Sequence, residues 1–441
     1  MADYRAISDQ IAADIAEGRL KPGERLPPQR QFAFERGIAV STASRVYAEL
    51  TRLGLVAGEV GRGTYVRPFP ASPDGGLAEA ASVNLEHVFA ILPDQAVNIA
   101  ASLNQLIGPE AVRVAFPPVN ALATPHARSA AAAFFARGGW APDPAGVLFT
   151  GTGRQGIAAA MAALAPPGGR IGVEAMTYPI VKSIAARLGI TLVPIAMDAD
   201  GMRPEAVEEA CRNAPLCALY LQPSLQSPLG TTMSAARRNA IARTLERQDL
   251  ICIEDAIYSF LTDDEPLARR APDRVILVDS LSKRVAPGTT LGFIATPPHL
   301  TDRVARTIRN GAWSVTGLPL AIALHMMGDG LAARIGQAKR SDAAKRQTMA
   351  RDILVGLDVR GDSRAYHLWL TLPDPWRAEN FAAAAARHRI AIAPASVFAI
   401  EPDAAPNGVR LALGSPSFDS LRGALETLYR LILHGDDRQV E

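Results

Sequence analysis

The sequence "RVILVDSLSKRVAPGTTLGF", residues 274–293, changes character abruptly along its length. Its apolar run, residues 275–278, predicts a buried strand. Lys283 follows between small hydroxyl residues and a Pro-Gly turn. Lys283 is therefore either a solvated loop charge or a residue held at the strand end for chemistry.

The same pattern of short apolar runs that end at small or acidic residues recurs upstream. The runs are "GVLFT", "RIGVE", "LCALYLQ", "LICIED" and "VILVDS", and Ala-rich helical stretches separate them. This alternation predicts an α/β fold with a doubly wound, mainly parallel sheet. Ligands of such sheets bind beyond the carboxyl ends of the strands. After about residue 330, "YHLWLTLP" and "GVRLALG" with flanking helices predict a smaller α+β lobe.

The bulk composition sets limits on the class of protein. The 441 residues predict two or three domains, and 48% hydrophobic with 20% charged residues is typical of globular chains. A net charge of +2 says nothing about nucleic acid. Three cysteines without metal-type spacing indicate a reducing compartment. The polar start and the lack of a membrane-length apolar run predict a cytoplasmic protein with no membrane or metal partner.

Residues 1–67 form a separate unit by their pattern. Ile7, Ile11 and Ile15 mark one helical stripe, and two further helices and the alternating "LVAGEVGRGTYV" hairpin follow. This order predicts a winged helix-turn-helix. Residues 68–82 are rich in Pro, Gly, Ala and Ser, which predicts a linker. Residues 83–441 then form the second domain, with a large lobe at about 110–325 and a small lobe at about 330–441.

The charge of the N-terminal unit is local and positive. Residues 25–67 contain seven arginines and three glutamates, a net +4. Such a face suits DNA phosphates, and small polar residues beside an arginine suit a helix that enters the major groove. The alternative is a solvated basic face on a winged helix that binds protein.

The stretch "GRLKPGERLPPQRQFAFERGIAVSTASRVYAELTRLGLVAGEVGRGTYV" resembles the DNA-binding domain of GntR-type bacterial regulators over nearly all of residues 1–67. The resemblance implies a double-stranded DNA operator as partner and a recognition helix over residues 40–53. Its implied DNA contacts are Arg30, Ser41, Thr42, Arg45, Arg62, Gly63 and Thr64. Many family members have Ser-Arg where this chain has Ala39-Val40, so the base preference differs in a way the sequence does not give.

Several unusual residues of the second domain fall at strand ends. Gly153 and Arg154 open a helix after a Gly-containing turn, which suits a phosphate. Tyr178 could stack on a ring, and Asp255, which needs a cationic partner, precedes Lys283 by one strand. The remaining candidates are Tyr258, Ser280, Ser282 and Arg410. Pyridoxal 5′-phosphate uses a lysine, an acid at its ring nitrogen, an aromatic face and a phosphate cup. The alternative is a loop lysine beside a structural carboxylate.

The domain also resembles fold-type I aminotransferases over about residues 83–435, through "SLSKRVAPG", "EDAIY", "TYP", "QPSLQSPLG" and "VRLALG". The resemblance implies an imine of the cofactor at Lys283, Asp255 at its ring nitrogen, Tyr258 near its phenolic oxygen and Arg410 on an effector carboxylate. Fused to a GntR-like unit, the chain resembles the MocR subfamily, whose aminotransferase-like domain senses pyridoxal phosphate or an amino compound. That subfamily usually forms head-to-tail homodimers.

Two positions depart from the aminotransferase pattern. The asparagine that usually bonds the phenolic oxygen is Ser227 here, and the usual phosphate-binding arginine is Thr290. Arg284 or Arg154 could replace the lost charge. These changes argue against efficient transamination more than against binding of the cofactor.

Three functions remain open from the sequence. The favoured one is a transcription regulator that responds to pyridoxal phosphate or an amino effector and has a vestigial aminotransferase fold. The second is a working aminotransferase. The third is a regulator whose large domain is a dimerisation scaffold without cofactor.

Overall fold

The fold was analysed in a computed structural model of the chain. It describes residues 4–16, 19–20, 24–52, 55–59, 63–66, 83–106, 108–109, 113, 115–289 and 291–434. The chain divides into two compact units, residues 1–82 with 379–391 and residues 83–378 with 392–441. The predicted linker, residues 68–82, lies outside the described residues.

The first unit has the predicted winged helix-turn-helix topology. Its helices are α1 (Tyr4–Ala16), α2 (Gln29–Glu35) and α3 (Val40–Arg52), and its strands are β1 (Arg25–Leu26), β2 (Val56–Glu59) and β3 (Gly63–Val66). The sheet order is β1-β3-β2 with antiparallel pairs. The hairpin β2–β3 matches the prediction, whereas β1 lies between the first two helices, where no strand was predicted. Pairing with β3 makes this short segment extended.

The core of this unit follows the predicted helical stripe. Ile11 and Ile15 are buried, and Ile7 is packed against the same cluster. The rings of Phe32 on α2 and Tyr47 on α3 meet edge to face with centroids 5.3 Å apart. Gly37, with φ at +61°, provides the left-handed turn between the two helices. These contacts fix the angle at which α3 is presented.

The remaining strands and helices alternate through the large lobe and continue through the small lobe, and those of residues 379–391 are part of the first compact unit. The strands are β4 (Val83–Asn84), β5 (Val147–Thr150), β6 (Arg170–Glu174), β7 (Thr191–Ile195), β8 (Met197–Asp198), β9 (Gly201–Met202), β10 (Ala218–Leu221), β11 (Cys252–Asp255), β12 (Val275–Ser280), β13 (Gly292–Ala295), β14 (Val359–Arg360), β15 (His367–Thr371), β16 (Ile390–Ala391), β17 (Ala393–Pro394) and β18 (Gly408–Ala412). The helices are α4 (Gln95–Leu106), α5 (Pro125–Phe135), α6 (Gly153–Leu164), α7 (Pro179–Leu188), α8 (Pro204–Asn213), α9 (Ala235–Arg247), α10 (Leu267–Arg270), α11 (Leu281–Arg284), α12 (Pro298–Asn310), α13 (Gly317–Gly328), α14 (Leu331–Ile353), α15 (Ala378–Arg387) and α16 (Phe418–His434).

The main sheet has seven strands in the order β5-β13-β12-β11-β10-β6-β7. All neighbouring pairs are parallel except those of β13, which runs antiparallel to β12 and β5. All five predicted strands are present in it. The sheet is therefore mainly parallel, as the sequence predicts, and places the ends of its parallel strands at one edge.

Two hydrophobic clusters cover the faces of this sheet. Ile253 and Ile276 face the cluster that contains α6, α7 and α12, whereas Cys252 and Leu277 face the cluster that contains α8 and α9. Neighbouring residues of one strand thus enter opposite cores, as the period of two requires. Burial on both faces explains why these strands are continuous apolar runs in the sequence.

The smaller lobe has a four-stranded sheet in the order β14-β15-β18-β17, with antiparallel pairs. The two predicted strands, "YHLWLTLP" and "GVRLALG", correspond to β15 and β18. The pair positions Arg410 directly opposite Trp369.

Within the described part of the chain, no single helix has both the length and the apolar character needed to cross a membrane. Helices α13 and α14 meet that criterion only when taken together, and they are bent by 70° at their junction.

Candidate functional site

Lys283 lies on α11, a single helical turn that follows β12 directly. The hydroxyl of Ser280 caps this turn by accepting a hydrogen bond from the backbone N–H of Ser282 at 3.0 Å, and the two serine hydroxyls are 2.5 Å apart. The Lys283 Nζ lies 5.9 Å from the centroid of the Phe89 ring. The strand end and its capped turn thus fix the backbone of the lysine.

The charges around Lys283 favour a neutral amine. Burial lowers the pKa of Lys283 to about 7, and the nearby cations Arg410, Arg154 and Lys339 act in the same direction. Asp255 opposes them. An amine with a pKa near neutrality is a nucleophile at physiological pH. Lys283 is therefore suited to covalent bond formation with a carbonyl.

Asp255 occupies the end of β11, the strand beside β12. Its carboxylate is only 4% exposed. It accepts hydrogen bonds from Tyr220 Oη at 2.6 Å, Gln222 Nε2 at 2.9 Å and the N–H of Ile257 at 3.1 Å. Burial raises the pKa of Asp255, and these donors oppose that rise. The group is a buried acceptor held in one orientation.

Tyr220 and Gln222 were not among the site residues predicted from the sequence. They stand two residues apart, Tyr220 on β10 and Gln222 just past its end, so they share one side of the chain. A polar residue directly past an apolar strand was the available signal. Glu174, at the end of β6, was not predicted either, and it accepts a hydrogen bond from the N–H of Gln222 at 3.1 Å. Burial raises the pKa of Glu174 to about 8, so this second carboxyl group is neutral at pH 7.

The predicted phosphate and stacking residues lie on α6 and at the start of α7. Helix α6 begins at Gly153, and the hydroxyl of Thr152 caps it by accepting from the N–H of Gln155 at 3.1 Å. A Cβ at Gly153 would lie 3.0 Å from the Cβ of Ser280, so the glycine permits close approach of the two turns. Arg154 Nε donates to the hydroxyl of Tyr178 at 3.2 Å.

Arg410 is buried on β18, where several groups fix its guanidinium. Its Nη1 donates to Ser227 Oγ at 3.0 Å, and its Nη2 donates to the carbonyl of Glu86. The guanidinium carbon lies 4.6 Å from the ring centroid of Phe398. Its Nε is buried without a hydrogen-bond partner among the described residues. A buried guanidinium with spare donor capacity is suited to a carboxylate ligand.

Tyr258, predicted near a phenolic oxygen, is buried just past the end of β11. Its ring lies 5.4 Å from the ring of His367 on β15. Burial raises the pKa of Tyr258, and the positive charge of Arg410 opposes that rise. Tyr258 therefore stays a neutral hydrogen-bonding group.

Arg284 points away from this group of residues. Its Nη2 pairs with Asp279 Oδ2 at 3.6 Å, and its guanidinium carbon lies 4.5 Å from the Phe134 ring and 5.1 Å from the Phe135 ring. Arg284 is thus a packed core cation. Of the two arginines considered as substitutes for a phosphate arginine, only Arg154 lies with Tyr178. Thr290 lies outside the described residues.

The predicted DNA-contacting residues of α2 and α3 are accessible. Arg30 is exposed near the start of α2, and Ser41 and Arg45 are exposed on α3, with Thr42 half-buried between them. Gly63 and Thr64 form the start of β3, and Gly63 has a φ of +128°. Arg62 lies outside the described residues. The structure thus presents polar and basic groups from the predicted recognition helix to solvent.

Comparisons with known proteins agree with both units. Residues 3–66 match the model of bacterial regulatory proteins of the gntR family. Residues 110–428 match the family described as aminotransferase class I and II. The chain is 30% identical over 434 residues to an uncharacterised HTH-type transcriptional regulator, YdeF, of Bacillus subtilis, covering 97% of this chain and 94% of the relative. The chain belongs to the MocR-type GntR regulators.

Two further proteins are similar to this MocR-type regulator, one in sequence and one in fold. It is 26% identical over 372 residues to the HTH-type pyridoxine biosynthesis transcriptional regulator PdxR of Corynebacterium glutamicum, which covers 81% of this chain and 78% of the relative. A solved kynurenine aminotransferase of Pyrococcus horikoshii shares the fold with a TM-score of 0.73 at 18% identity, over 83% of this chain and 93% of that one. The MocR-type regulator thus combines a GntR DNA-binding domain with a fold-type I aminotransferase fold.

The residues present fit the cofactor that this fold family uses. Four kinds of group lie at strand ends of one sheet. They are a lysine with a pKa of about 7, a buried acceptor on the adjacent strand, a tyrosine that is hydrogen-bonded to an arginine, and a glycine at the start of a helix. The lysine and the acid are groups that pyridoxal 5′-phosphate uses, and a helix N-terminus suits its phosphate. Among the described residues, no group of His, Cys, Asp or Glu side chains could hold a metal ion.

Proposed function

We propose that this MocR-type regulator binds pyridoxal 5′-phosphate at Lys283 and controls transcription in response to the cofactor or to an amino-group effector. The observation that carries the proposal is that Lys283, whose pKa is lowered to about 7, directly follows β12, while the buried acceptor Asp255 ends the neighbouring strand β11. The similarity to a pyridoxine biosynthesis regulator supports it. The DNA-binding unit of the same chain provides the output.

Each residue of the site has one role in this proposal. Lys283 provides the amine that attaches the cofactor, and Asp255 holds a proton at the ring nitrogen. Tyr178 lies against the ring, and Arg154 neutralises the phosphate charge with the N-terminal dipole of α6. The smaller contributors are Gly153, Ser227, Tyr258, Ser280 and Ser282. When bound, pyridoxal 5′-phosphate supplies an aldehyde that primary amines attack.

The effector part of the proposal rests on Arg410. An effector with a primary amine competes with Lys283, and Arg410 holds its carboxylate if it has one. Such an effector shifts DNA affinity only if it binds two arrangements of the protein unequally. The response of DNA binding to amino compounds is therefore the functional readout.

The protein acts as a homodimer in this proposal, with a head-to-tail arrangement. Large apolar side chains of the second unit support self-association, since Val97 is 71% exposed, Phe116 is 79% exposed and Leu318 is 53% exposed. Helices α4 and α13, which carry two of them, pack on each other.

We also propose that the protein is located in the cytoplasm, because a bacterial protein that binds genomic DNA works there.

The first experiment measures absorbance of the purified protein with pyridoxal 5′-phosphate. We expect a visible band that is absent from Lys283→Ala, and a mobility shift of the DNA upstream of its own gene. If the wild-type protein lacks the band, the function that remains is that of a regulator whose large domain is a scaffold without cofactor.

A second candidate function is that of an aminotransferase, because the chain retains Lys283, Asp255 and Arg410. Multiple turnovers of an amino acid with a keto-acid acceptor would establish that activity.

A further inference from the structure

The turn that carries Lys283 has one backbone hydrogen bond of its own, from the N–H of Val285 to the carbonyl of Leu281 at 2.7 Å. Helix α11 has only four residues, and Val285, which follows it, has a φ of −102° and a ψ of −88°, which are not helical. Carbonyl groups at the end of so short a helix have no partner within it. They need donors from other elements to stay in place.

Lys339 on α14 supplies those donors. Its Nζ donates to the carbonyl of Lys283 at 2.9 Å and to the carbonyl of Val285 at 2.6 Å. Gln95 on α4 donates its Nε2 to the same Val285 carbonyl at 2.8 Å. The backbone of Lys283 is therefore tied to α14, and that of Val285 to both α4 and α14.

Lys339 is buried without a carboxylate partner, which is costly for a lysine. Its side chain is 0% exposed, and no ion pair within 4.0 Å joins it to an acid among the described residues. Asp342, whose charge acts on Lys339, is engaged by Arg346 Nε at 2.7 Å and by the hydroxyl of Tyr366 at 2.9 Å. An unpaired buried charge costs several kcal/mol, and no ion pair among the described residues offsets the burial of Lys339. The contacts that explain its buried position are its two hydrogen bonds to the α11 turn.

The protonation of Lys339 is compatible with this role. Burial lowers the pKa of Lys339 to about 7, and Asp342 opposes the shift. A neutral amine keeps two N–H donors, which is the number of carbonyls that Lys339 contacts. When protonated, Lys339 adds to the positive field that Arg410 and Arg154 exert on Lys283, which Asp255 opposes.

We propose that Lys339 is a positioning residue that holds the backbone of Lys283 so that its amine meets the cofactor. The inference rests on the proposed function, because it assigns to Lys339 the orientation of the residue that would carry the cofactor. A misplacement of about 1 Å at a reacting group slows a reaction by up to roughly a hundredfold. The donors that hold the Lys283 backbone therefore matter for attachment of the cofactor. In this role Lys339 acts through the backbone of Lys283 and Val285, to which its two hydrogen bonds run.

The experiment compares two substitutions at this position with one control on the same helix. Lys339→Met removes both donors and the charge, whereas Lys339→Gln removes the charge and keeps an amide donor. Lys345→Met is the control, because Lys345 is exposed on α14. Circular dichroism and thermal unfolding establish that each protein is folded.

Two readouts are measured on the full-length protein. The first is the dissociation constant of pyridoxal 5′-phosphate from absorbance. The second is the pKa of Lys283 without added cofactor, from the pH dependence of trace labelling with acetic anhydride and peptide mass spectrometry. We expect a weakening of at least about tenfold for Lys339→Met, about threefold for Lys339→Gln and none for Lys345→Met. The Lys283 pKa rises in both Lys339 variants.

The outcomes separate the inference from the proposed function. Absence of cofactor binding by the wild-type protein would overturn the proposed function. Binding by the wild type, together with a folded Lys339 variant that keeps both the wild-type dissociation constant and the wild-type Lys283 pKa, would overturn the role of Lys339. If Lys339→Met does not fold, the same two measurements on Lys339→Gln decide.

Discussion

Arg410 donates a hydrogen bond to the hydroxyl of Ser227 across 3.0 Å, which joins β18 of the small lobe to the loop after β10. Ser227 stands where the aminotransferase pattern has asparagine, and its backbone N–H donates to the Gln222 side chain at 2.9 Å. Gln222 in turn donates to Asp255. The proposed carboxylate site and the proposed ring-nitrogen site are therefore linked through one serine and one glutamine.

Arg410→Gln is expected to weaken amino acid effectors selectively. Loss of a buried pair between the guanidinium and the carboxylate lowers the affinity for an amino acid by roughly a hundredfold, whereas an amine without a carboxylate has no such contact to lose. The measurement is the concentration of L-alanine and of ethylamine that displaces half of the cofactor absorbance band. Equal losses for both compounds would show that Arg410 does not hold the carboxylate.

Arg154→Gln is expected to lower the ratio of the affinity for pyridoxal 5′-phosphate to the affinity for pyridoxal by about tenfold or more. The reason is that only pyridoxal 5′-phosphate carries the phosphate that Arg154 neutralises. Arg284→Met is the matched control, since Arg284 pairs with Asp279 and packs on phenylalanine rings. It should lower the melting temperature without changing the ratio of the two affinities. A changed ratio in this control, with an unchanged ratio in Arg154→Gln, would reverse the assignment.

Much of the fold was predictable because burial on both faces gives strands an unmistakable apolar run. Two strands of the sheet escaped the prediction. Strand β7 contains Pro194, which argues against a strand, but β7 is the edge of the sheet, where proline is tolerated. Strand β13, "GFIA", follows a loop-like stretch and pairs antiparallel with β12, a pairing that no local pattern encodes.

The site was predictable where a residue type is itself unusual, as with Lys283 and Asp255 at strand ends. It was not predictable where a residue acts through a contact that is remote in sequence. Tyr220 reaches Asp255 over 35 positions, and Lys339 reaches Lys283 over 56. Lys339 sits in a long charged helix, where a lysine is ordinarily solvated. Only the packing of α14 against α11 reveals that it is buried.

Attachment of the cofactor should depend on pH with a midpoint near 7. Lys283 must lose its proton to react, and burial with the charges of Arg410, Arg154 and Lys339 lowers its pKa to about 7 against the opposing Asp255. The apparent rate of attachment should therefore rise from pH 6 to about pH 8 and then level off. Stopped-flow absorbance measures it. A rate that still increases up to about pH 10, the ordinary lysine range, would contradict the lowered pKa.

Arg45→Ala is expected to weaken specific binding to the DNA upstream of the protein's own gene. Arg45 is exposed on α3, and loss of an arginine that reads a base costs roughly tenfold to a hundredfold in affinity, toward the nonspecific level. Arg19→Ala is the control, because Arg19 pairs with Asp14 at 2.7 Å. A mobility-shift assay with specific and scrambled fragments gives the specificity ratio, and gel filtration checks that the oligomer persists. Unchanged binding by Arg45→Ala would remove α3 from the role of recognition helix.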